Sequence, residues 1–471
     1  MLSKSQFLDF QHCAKSFWLK ARRPDAIAWP APSAFDRMLM KDGYAVERAA
    51  RELVASWPDA DRCSFQSVFE TGDLHARADL IRQRPGGDID LFEIKGSTSI
   101  KAAADKDYIG DAAFQVHTAR AAGATVSGVY LVHLNGDYVR AEEIAPSELL
   151  TIVDVTDAVE ARLPDMAQAI AAALDLLRLD SIDEDGCSCT AFGSAERRCA
   201  AFTYFNRDIP EYSIYLLPRI SAKKVAQFRS EQRLALSDIR ADELTPSQIP
   251  VHAAALSGEP HVDRRAISQF LESFEWPLHF YDYETFAAAV PPAPGHSPFQ
   301  QMPVQYSLHR LHADSSLEHF EHLTTGHGEQ RELIEHMQAS FDPAGTIVSW
   351  NKAFENSCNS RMSKLLPHKA DFLLGLNERT VDLMDPFKTD YVDIRFGGST
   401  SIKKVLPILC PELRYAEDAV HDGAGAMEAW LQMVEASDPA ERERLAAELR
   451  AYCGLDTLAM VEIYKALAAL R

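Results

Sequence analysis

Two carboxylates and a lysine have the spacing of a hydrolytic site carried on neighbouring strands. Asp79 lies in a predicted strand, and Glu93 and Lys95 follow in the run Leu91–Phe92–Glu93–Ile94–Lys95. Because alternate side chains of a strand share a face, Glu93 and Lys95 point the same way. Two such carboxylates can hold Mg²⁺ or Mn²⁺, and the lysine can orient a water and stabilise charge on a phosphate. Gln115, on the next predicted helix, would complete the site; an exposed strand is the alternative interpretation.

A second set of acidic residues lies in the C-terminal half. Asp282 and Glu284 are two residues apart in a predicted strand, and Glu355 lies in the first turn of a predicted helix. Tyr452 and Asp456 are four residues apart, which places them on one helix face. Four carboxylates held together could bind two Mg²⁺ or Mn²⁺ ions that activate a water and stabilise a leaving oxygen. Each spacing alone is common on solvated surfaces, so their order along the chain carries the prediction.

Four cysteines have the pattern of a metal-binding group. Cys187, Cys189 and Cys199 are the clustered members of the eight cysteines, and Cys13 lies far upstream in a predicted helix. Four thiolates suit zinc or an iron–sulfur cluster, and such a site would link the two ends of one domain. Reduced structural cysteines are the third interpretation.

A glycine pair followed by hydroxyl residues precedes a short predicted helix at 397–407. Backbone N–H groups at such a turn can contact phosphate, and neighbouring basic side chains would add charge. A simple helix N-cap explains the pattern equally well. The residues predicted to contact nucleic acid are Arg395, Ser401, Lys403 and Lys404.

The elements that must position these residues are predicted to form an α/β protein. In the first 205 residues we expect helices at 3–23, 35–57, 107–122 and 145–178, and strands at 76–82, 89–95 and 127–134. From residue 276 onward we expect strands at 279–283, 305–311 and 346–350, and helices at 328–338 and 353–366. The sequence therefore predicts α/β domains at 1–205 and 276–471, joined by a helical connector at 206–275.

Composition limits the class of protein. The 471 residues are 46% hydrophobic and 25% charged, which excludes a wholly disordered chain. The net charge of −21 argues against nonspecific coating of DNA by the whole protein surface, although a local basic groove remains compatible with it. Because no run approaches the roughly 18–20 apolar residues of a membrane span, we expect no membrane partner and a cytoplasmic protein with reduced cysteines.

The N-terminal residues resemble those of the PD-(D/E)XK superfamily, specifically RecB-like nucleases. This resemblance implies a restriction-endonuclease-like mixed sheet with helices. Such enzymes often carry a histidine four residues after an early glycine, where Glu47 follows Gly43, so the resemblance predicts Glu47 as a substitute metal ligand. They often carry a tyrosine at the position of Ala119. One cysteine before the nuclease motifs and three after them resemble the iron–sulfur subset, which implies a 4Fe–4S cluster with zinc as the alternative.

The C-terminal residues resemble the tyrosine subclass of the DEDD exonucleases, which have a ribonuclease H-like fold. In that family the tyrosine positions or helps to deprotonate the attacking water, and degradation runs 3′→5′. Glu355 stands where the family has aspartate. Taken whole, the chain resembles an uncharacterised bacterial family that joins both nuclease-like halves.

These observations together predict a metal-dependent nuclease with two sites. We expect it to hydrolyse DNA phosphodiester bonds in single strands or at ends, with a 3′→5′ exonuclease in the C-terminal half. DNA repair or defence against foreign DNA is the role that the resemblance implies. The alternatives are an RNA-directed exonuclease, or a nucleic-acid-binding adaptor with one or both sites inactive.

Overall fold

Helices and strands alternate along the chain in a computed structural model that describes residues 1–103, 106–415 and 420–471. The predicted α/β class is confirmed. The chain forms two compact units, one of Met1–Asp208 with Ala288–Gln300 and one of Ile209–Ala287 with Gln301–Arg471. Among the described residues, no helix combines the length and the apolar character needed to cross a membrane.

The first unit contains eight strands and seven α-helices in the described chain. The strands are β1 (Leu2–Ser3), β2 (Cys63–Glu70), β3 (Leu74–Gln83), β4 (Ile89–Lys95), β5 (Ala102–Ala103), β6 (Lys106–Asp107), β7 (Val126–Leu134) and β8 (Leu150–Asp154). The helices are α1 (Lys4–His12), α2 (Ala14–Arg22), α3 (Ala34–Ala55), α4 (Tyr108–Ala121), α5 (Pro146–Leu149), α6 (Thr156–Arg178) and α7 (Phe202–Phe205).

Strand β4 is the centre of the six-stranded sheet in the first unit. The sheet order is β1-β3-β4-β7-β8, with β2 on β3; β4 is antiparallel to β3 and parallel to β7. Leu91 packs in the core beneath α4 and α6, and Phe92 packs in the core beneath α3. Glu93 and Lys95 alternate with Phe92, so they share the face of Leu91 and point toward α4.

Strand β3 changes face at Asp79. Ala78 lies in the core beneath α4, whereas Leu80, two residues later, lies in the core beneath α3. In the β2–β3 register, Phe65 pairs with Leu80 and Ser67 with Ala78, so the residue opposite Asp79 is Gln66, which has φ +57°. Such an irregularity re-aims a side chain, as bulges beside functional sites commonly do.

The second unit is built around a five-stranded sheet. Its strands are β9 (His261–Val262), β10 (Leu278–Phe286), β11 (Met302–Leu311), β12 (Leu317–Leu323), β13 (Thr346–Ser349), β14 (Thr380–Asp382) and β15 (Tyr391–Val392). Its helices are α8 (Ala222–Ser230), α9 (Ile249–Ser257), α10 (Arg264–Glu272), α11 (Gln330–Ser340), α12 (Lys352–Leu365), α13 (Ala370–Arg379), α14 (Pro386–Thr389), α15 (Ile402–Leu409), α16 (Gly423–Glu435) and α17 (Pro439–Ala468).

Strand β10 is the middle strand of this sheet, whose order is β12-β11-β10-β13-β14. β10 and β12 are antiparallel to β11, whereas β10, β13 and β14 are parallel. Phe280 packs in the core beneath α15 and α17, whereas Tyr281 and Tyr283 pack in the core beneath α11, α12 and α13. By alternation, Asp282 and Glu284 point toward α17.

The boundaries of the two compact units differ from those of the predicted domains. Residues 209–275, expected within a separate connector, belong to the second unit because their apolar side chains share one core with Val392 and Ile394, and because β9 pairs with β15. Residues 288–300 belong to the first unit, where the backbone N–H of Ala289 donates to Asp42 Oδ1 at 2.8 Å.

Local structure differs from the predictions in three places. The helix expected at 3–23 is two helices, α1 and α2, because Cys13 between them is extended at φ −156° and ψ 100°. The helical run expected at 145–178 contains the edge strand β8, which pairs with β7. Strand β2, outside every predicted element, is half-exposed along most of its length and so lacks a clear alternating apolar pattern.

The paired glycines before α15 allow a test of backbone packing. Gly397 has φ +65° with open space around it, whereas Gly398 has φ +76° and a Cβ there would lie 2.6 Å from the Leu216 carbonyl oxygen. Both alanine variants strain the backbone by ~1–2 kcal/mol, but only Gly398→Ala adds a backbone collision. We expect Gly398→Ala to lower the melting temperature several degrees more than Gly397→Ala does; equal losses would contradict the close approach.

Candidate active sites and metal centre

Glu93 is the most enclosed acidic group of the first predicted site. Its side chain is 1% exposed, and it accepts from Lys4 Nζ at 2.6 Å and lies 2.8 Å from Lys95 Nζ. The Gln115 side-chain amide also donates to it from α4. Burial raises the pKa of Glu93, but the charges of Lys95 and Lys4 outweigh this effect and hold the pKa at about 2. Glu93 is therefore an anion at neutral pH.

Asp79 lies beside this anion and behaves differently. Its Oδ2 accepts from the backbone N–H of Ile94 at 2.9 Å. Burial and the nearby charge of Glu93 raise the pKa of Asp79 to about 7. The first site therefore holds one permanent anion and one carboxyl group that titrates near neutrality, a pair to which a divalent ion could bind.

Two further residues in this site were not predicted. Lys95 contacts Asp111 of α4 as well as Glu93, and these two carboxylates outweigh burial to raise the lysine pKa above its usual value. Asp111 lies four residues before Gln115 on one helix face, a spacing that could have identified it. Lys4 carries no such signal, because only the fold brings residue 4 to β4. Gln115 Oε1 is buried without a partner among the described residues, so it has an acceptor to offer.

Glu47, the predicted substitute ligand, has partners on α3 and β2. Its Oε1 lies 2.6 Å from Arg51 Nη2, and its Oε2 accepts from Gln66 Nε2 at 3.0 Å. Gln66 is the residue opposite Asp79. These contacts connect Glu47 to Gln66, the residue opposite Asp79, and a ligand role for Glu47 stays a prediction.

The four predicted cysteines form a buried thiol cluster, which can bind a metal. The Sγ atoms of Cys13, Cys187, Cys189 and Cys199 all lie within 4.8 Å of one another. Cys13 enters from the break between α1 and α2, and the other three follow α6.

Hydrogen bonds favour thiolate character at Cys187 within this cluster. Cys187 Sγ accepts from Asn206 Nδ2 at 3.4 Å, and Cys189 Sγ accepts from the Cys199 backbone N–H at 3.4 Å. Hydrogen bonds from Cys13 and Cys199 lower the pKa of the Cys187 thiol. The hydrogen bond with Cys187, together with burial, raises the pKa of the Cys13 thiol to about 12. Protons are thus shared unequally, and a bound cation would replace them.

The second predicted site gathers its carboxylates between β10 and α17. Asp282 and Glu284 lie within 4.8 Å of each other and of Cys453 Sγ. Burial and the charge of Asp456 raise the pKa of Asp282 to about 7, while burial raises that of Asp456 to about 6. Burial, with the charge of Asp282, lifts the pKa values of Glu284 and Glu355 well above the ordinary range. These shifts are those of carboxyl groups that cannot all ionise without a cation.

Glu355 joins this group from the first turn of α12. It is 2% exposed and is hydrogen-bonded to Asp282. Its Oε2 is buried without a partner among the described residues. A spare buried carboxylate oxygen beside three other carboxyl groups is what a metal-ligating set requires.

A lysine and two tyrosines complete the second site. Lys403 Nζ donates to the Tyr452 hydroxyl at 2.6 Å and to the carbonyl of His421. The Tyr415 hydroxyl donates to Asp456 Oδ1. Tyr415 was not predicted, since no spacing relates it to the other members. Lys403, predicted as a phosphate contact, lies among the carboxylates themselves.

The other predicted nucleic-acid contacts lie outside this group. Arg395 is exposed and is paired with Asp393 at 2.9 Å. Ser401 is the N-cap of α15 but makes no side-chain cap bond, and Lys404 is exposed. Of these four predicted contacts, the structure therefore places Lys403 alone in the candidate active site.

Proton binding by the second site gives a test of its charge. The folded pKa of Asp282, about 7, exceeds the unfolded value of ~3.9, so its contribution to stability is present below pH ~4 and is lost as pH rises through about 7. Asp282→Asn removes this loss. Without added divalent ions, we expect this variant to melt several degrees above the unmodified protein at pH 8, with a smaller difference at pH 5.

A matched substitution separates this effect from general charge removal. Asp371→Asn removes an exposed carboxylate on α13 and should leave the melting temperature nearly unchanged at both pH values. Mn²⁺ should stabilise the unmodified protein at pH 8 and not the Asp282→Asn variant. The site would be contradicted if the gain in melting temperature of Asp282→Asn over the unmodified protein were smaller at pH 8 than at pH 5.

Removing one thiol tests the metal centre. Cys13→Ser should reduce the metal bound per chain severalfold and lower the melting temperature, because Cys13 connects the α1–α2 break to the segment after α6. Cys63→Ser, on β2 and outside the cluster, is the control and should keep the metal. The measurement is elemental analysis of anaerobically purified protein; equal metal in both variants would contradict the assignment.

The family match covers part of the second unit together with the segment 288–300 of the first unit. No curated protein matches the chain. Residues 279–401, about a quarter of the chain, match the profile of a family described as a domain of unknown function, DUF2779. The matched residues include Asp282, Glu284 and Glu355 and end before Tyr452 and Asp456.

Proposed function

We propose that the protein is a metal-dependent nuclease that hydrolyses phosphodiester bonds in DNA, in single strands or at ends. The observation that carries this proposal is the second site, where four carboxyl groups with raised pKa values surround Lys403 and Tyr452. Such a group is expensive to hold together unless cations neutralise it. Divalent ions that bind carboxylates also bind phosphate oxygens, which favours a phosphodiester as the substrate.

The residues of the second site have distinct roles in this proposal. When bound, two divalent ions would lower the pKa of a water and stabilise the leaving oxygen. Asp282, Glu284, Glu355 and Asp456 would hold these ions. Tyr452 accepts from Lys403 and is hydrogen-bonded to Asp456, so its hydroxyl would orient the attacking water beside that ligand. Lys403 would also attract the phosphate. The 3′→5′ direction rests on the resemblance to the tyrosine subclass of DEDD exonucleases.

The first site is proposed as a second nuclease centre. Asp79 and Glu93 would hold a divalent ion, with Gln115 Oε1 as a further acceptor. Lys95 would orient the water and stabilise charge on the phosphate, while Asp111 holds its ammonium group in place. Lys4 neutralises Glu93 when the ion is absent. The sheet order and the kink at Asp79 are compatible with the implied restriction-endonuclease-like fold.

The identity of the metal at the thiol cluster belongs to this proposal as well. The resemblance to iron–sulfur RecB-like nucleases favours a 4Fe–4S cluster. The sulfur separations, all within 4.8 Å, favour zinc, because a tetrahedral ion with Zn–S of about 2.3 Å requires sulfurs close together. Iron, labile sulfide and broad visible absorption in anaerobic protein would establish the cluster, and zinc alone would exclude it.

Two other interpretations compete with DNA hydrolysis. A ribonuclease H-like site also suits RNA, so an RNA-directed exonuclease is the enzymatic alternative. An adaptor that binds nucleic acid with inactive sites is the other, and the departures at Glu47, Ala119 and Glu355 are what favour it. A cytoplasmic location is proposed on the sequence pattern alone, and a role in repair or defence on the resemblance alone.

Cleavage by site-specific variants tests the proposal. With Mn²⁺ and a 5′-labelled strand, we expect Lys95→Ala to remove cleavage by the first site and leave 3′→5′ degradation by the second. In that background, Asp282→Ala or Asp456→Ala should abolish the remaining degradation, because each removes a proposed ligand. Tyr452→Phe should lower single-turnover cleavage by ~10²–10⁴-fold while the Mn²⁺-induced rise in melting temperature persists.

The same assay separates the alternatives. Equal rates on matched DNA and RNA strands, or a faster rate on RNA, would contradict the proposal that DNA is the preferred substrate. Glu355→Asp should be tolerated or should raise activity if Glu355 is a ligand. Unchanged degradation by both Asp282→Ala and Asp456→Ala would make the second unit a binding module.

A further inference from the structure

A cysteine lies among the acidic residues of the second site. Cys453 follows Tyr452 on α17, and its side chain is 0% exposed. Its Sγ lies within 4.8 Å of a carboxylate oxygen of Asp282 and of one of Glu284, and these two oxygens lie within the same distance of each other. The roles proposed above for the second site leave this thiol unused.

The surroundings of this thiol are unusual for a cysteine that only fills a core. A buried cysteine normally behaves as a small apolar residue. Cys453 instead has the charges of Glu284, Asp282 and Asp456 near enough to act on it. Its Sγ lies 4.0 Å from the backbone carbonyl oxygen of Asp282, where a weak S–H donor gains little. The sulfur is therefore placed beside carboxylates without a strong contact of its own.

A spare acceptor at the same place is an independent sign of a bound cation. Glu355 is 2% exposed and is hydrogen-bonded to Asp282, and its Oε2 is buried without a partner among the described residues. A buried carboxylate oxygen without a donor is costly unless a cation lies next to it. A cation bound to Asp282 would be close both to this oxygen and to the sulfur of Cys453.

We propose that Cys453 is a metal ligand that makes one metal position of the second site a mixed carboxylate–thiolate position, an inference that rests on the metal-dependent function proposed for this site. Metal–sulfur and metal–oxygen bonds of about 2.3 and about 2.1 Å allow two ligands of one ion to lie up to ~4.4 Å apart, close to the observed limit of 4.8 Å. The S–H proton would leave to solvent when the ion binds. Because sulfur ligands favour Zn²⁺ whereas Mg²⁺ requires oxygen, this position would select a thiophilic ion such as Zn²⁺.

Cadmium bound to the full-length protein tests this inference apart from cleavage. Cd²⁺ stands in for Zn²⁺, and its NMR chemical shift depends on the number of sulfur ligands. We expect a resonance from an ion with a single sulfur ligand, distinct from that of an ion held by the four thiols of the cluster. Cys453→Ser should move this resonance into the range of all-oxygen sites. The same variant should raise the Kd for Cd²⁺ at the second site roughly tenfold and leave the Kd for Mg²⁺ unchanged.

A second buried cysteine of the same unit provides the matched control. Cys358 on α12 is also 0% exposed, but it packs in the apolar core with Tyr281 and Ile347. Cys358→Ser should therefore leave the cadmium resonance and both Kd values as they are in the unmodified protein. A resonance that Cys453→Ser does not move, or equal changes in the two serine variants, would overturn the inference.

Failure of this inference and failure of the proposed function give different results. A resonance from an all-oxygen site that Asp282→Ala removes and Cys453→Ser leaves in place would defeat the thiolate ligand alone. The absence of any cadmium resonance beyond that of the thiol cluster, with a melting temperature that neither Mg²⁺ nor Mn²⁺ raises, would defeat the metal-dependent function proposed for the second site as well.

Discussion

Burial of negative charge is the constraint on which both units depend. A carboxylate in a protein interior is tolerated only when a cation or several donors compensate its charge. Asp90 on β4 shows the simplest solution: its side chain is 1% exposed and is paired with Arg82 at 2.8 Å and Arg84 at 2.7 Å. Three residues later on the same strand, Glu93 is equally buried and is compensated by two lysines instead. The arginine pairs of Asp90 form a structural contact. The lysine pairs of Glu93 lie instead beside the half-buried Asp79, the other proposed metal ligand of the first site.

The second unit compensates its buried acidic groups in a different way. Four carboxyl groups meet between β10, α12 and α17, and Lys403 is the cation that the structure places among them. Burial raises the pKa values of all four carboxyl groups, which favours their protonated forms. The two proposed metal sites therefore differ in how their buried charge is compensated: lysines pair with Glu93 in the first site, whereas raised pKa values limit ionisation in the second.

Regular spacing of residues in the sequence determined which parts of the fold and of the two sites could be predicted. The strands that carry Asp79, Glu93 and Asp282 follow from alternation within short apolar runs, and the cysteine group follows from the pattern of four thiols. Tertiary contacts decided the rest. Lys4 and Tyr415 reach their sites only through folding, and no interval in the sequence marks them. Likewise the division into units depends on cores shared by distant segments, such as residues 214–254 with Ile394, which local patterns do not encode.

Helix α1 links the first site to the thiol cluster. Its nine residues begin at Lys4, whose ammonium group binds Glu93, and end just before Cys13. Phe7 anchors the middle of the helix against Phe114, with ring centres 5.1 Å apart. One short helix thus carries a first-site contact at one end and leads directly into the thiol cluster at the other. A displacement of either end would be transmitted to the other, so α1 mechanically couples the thiol cluster to the proposed site around Glu93.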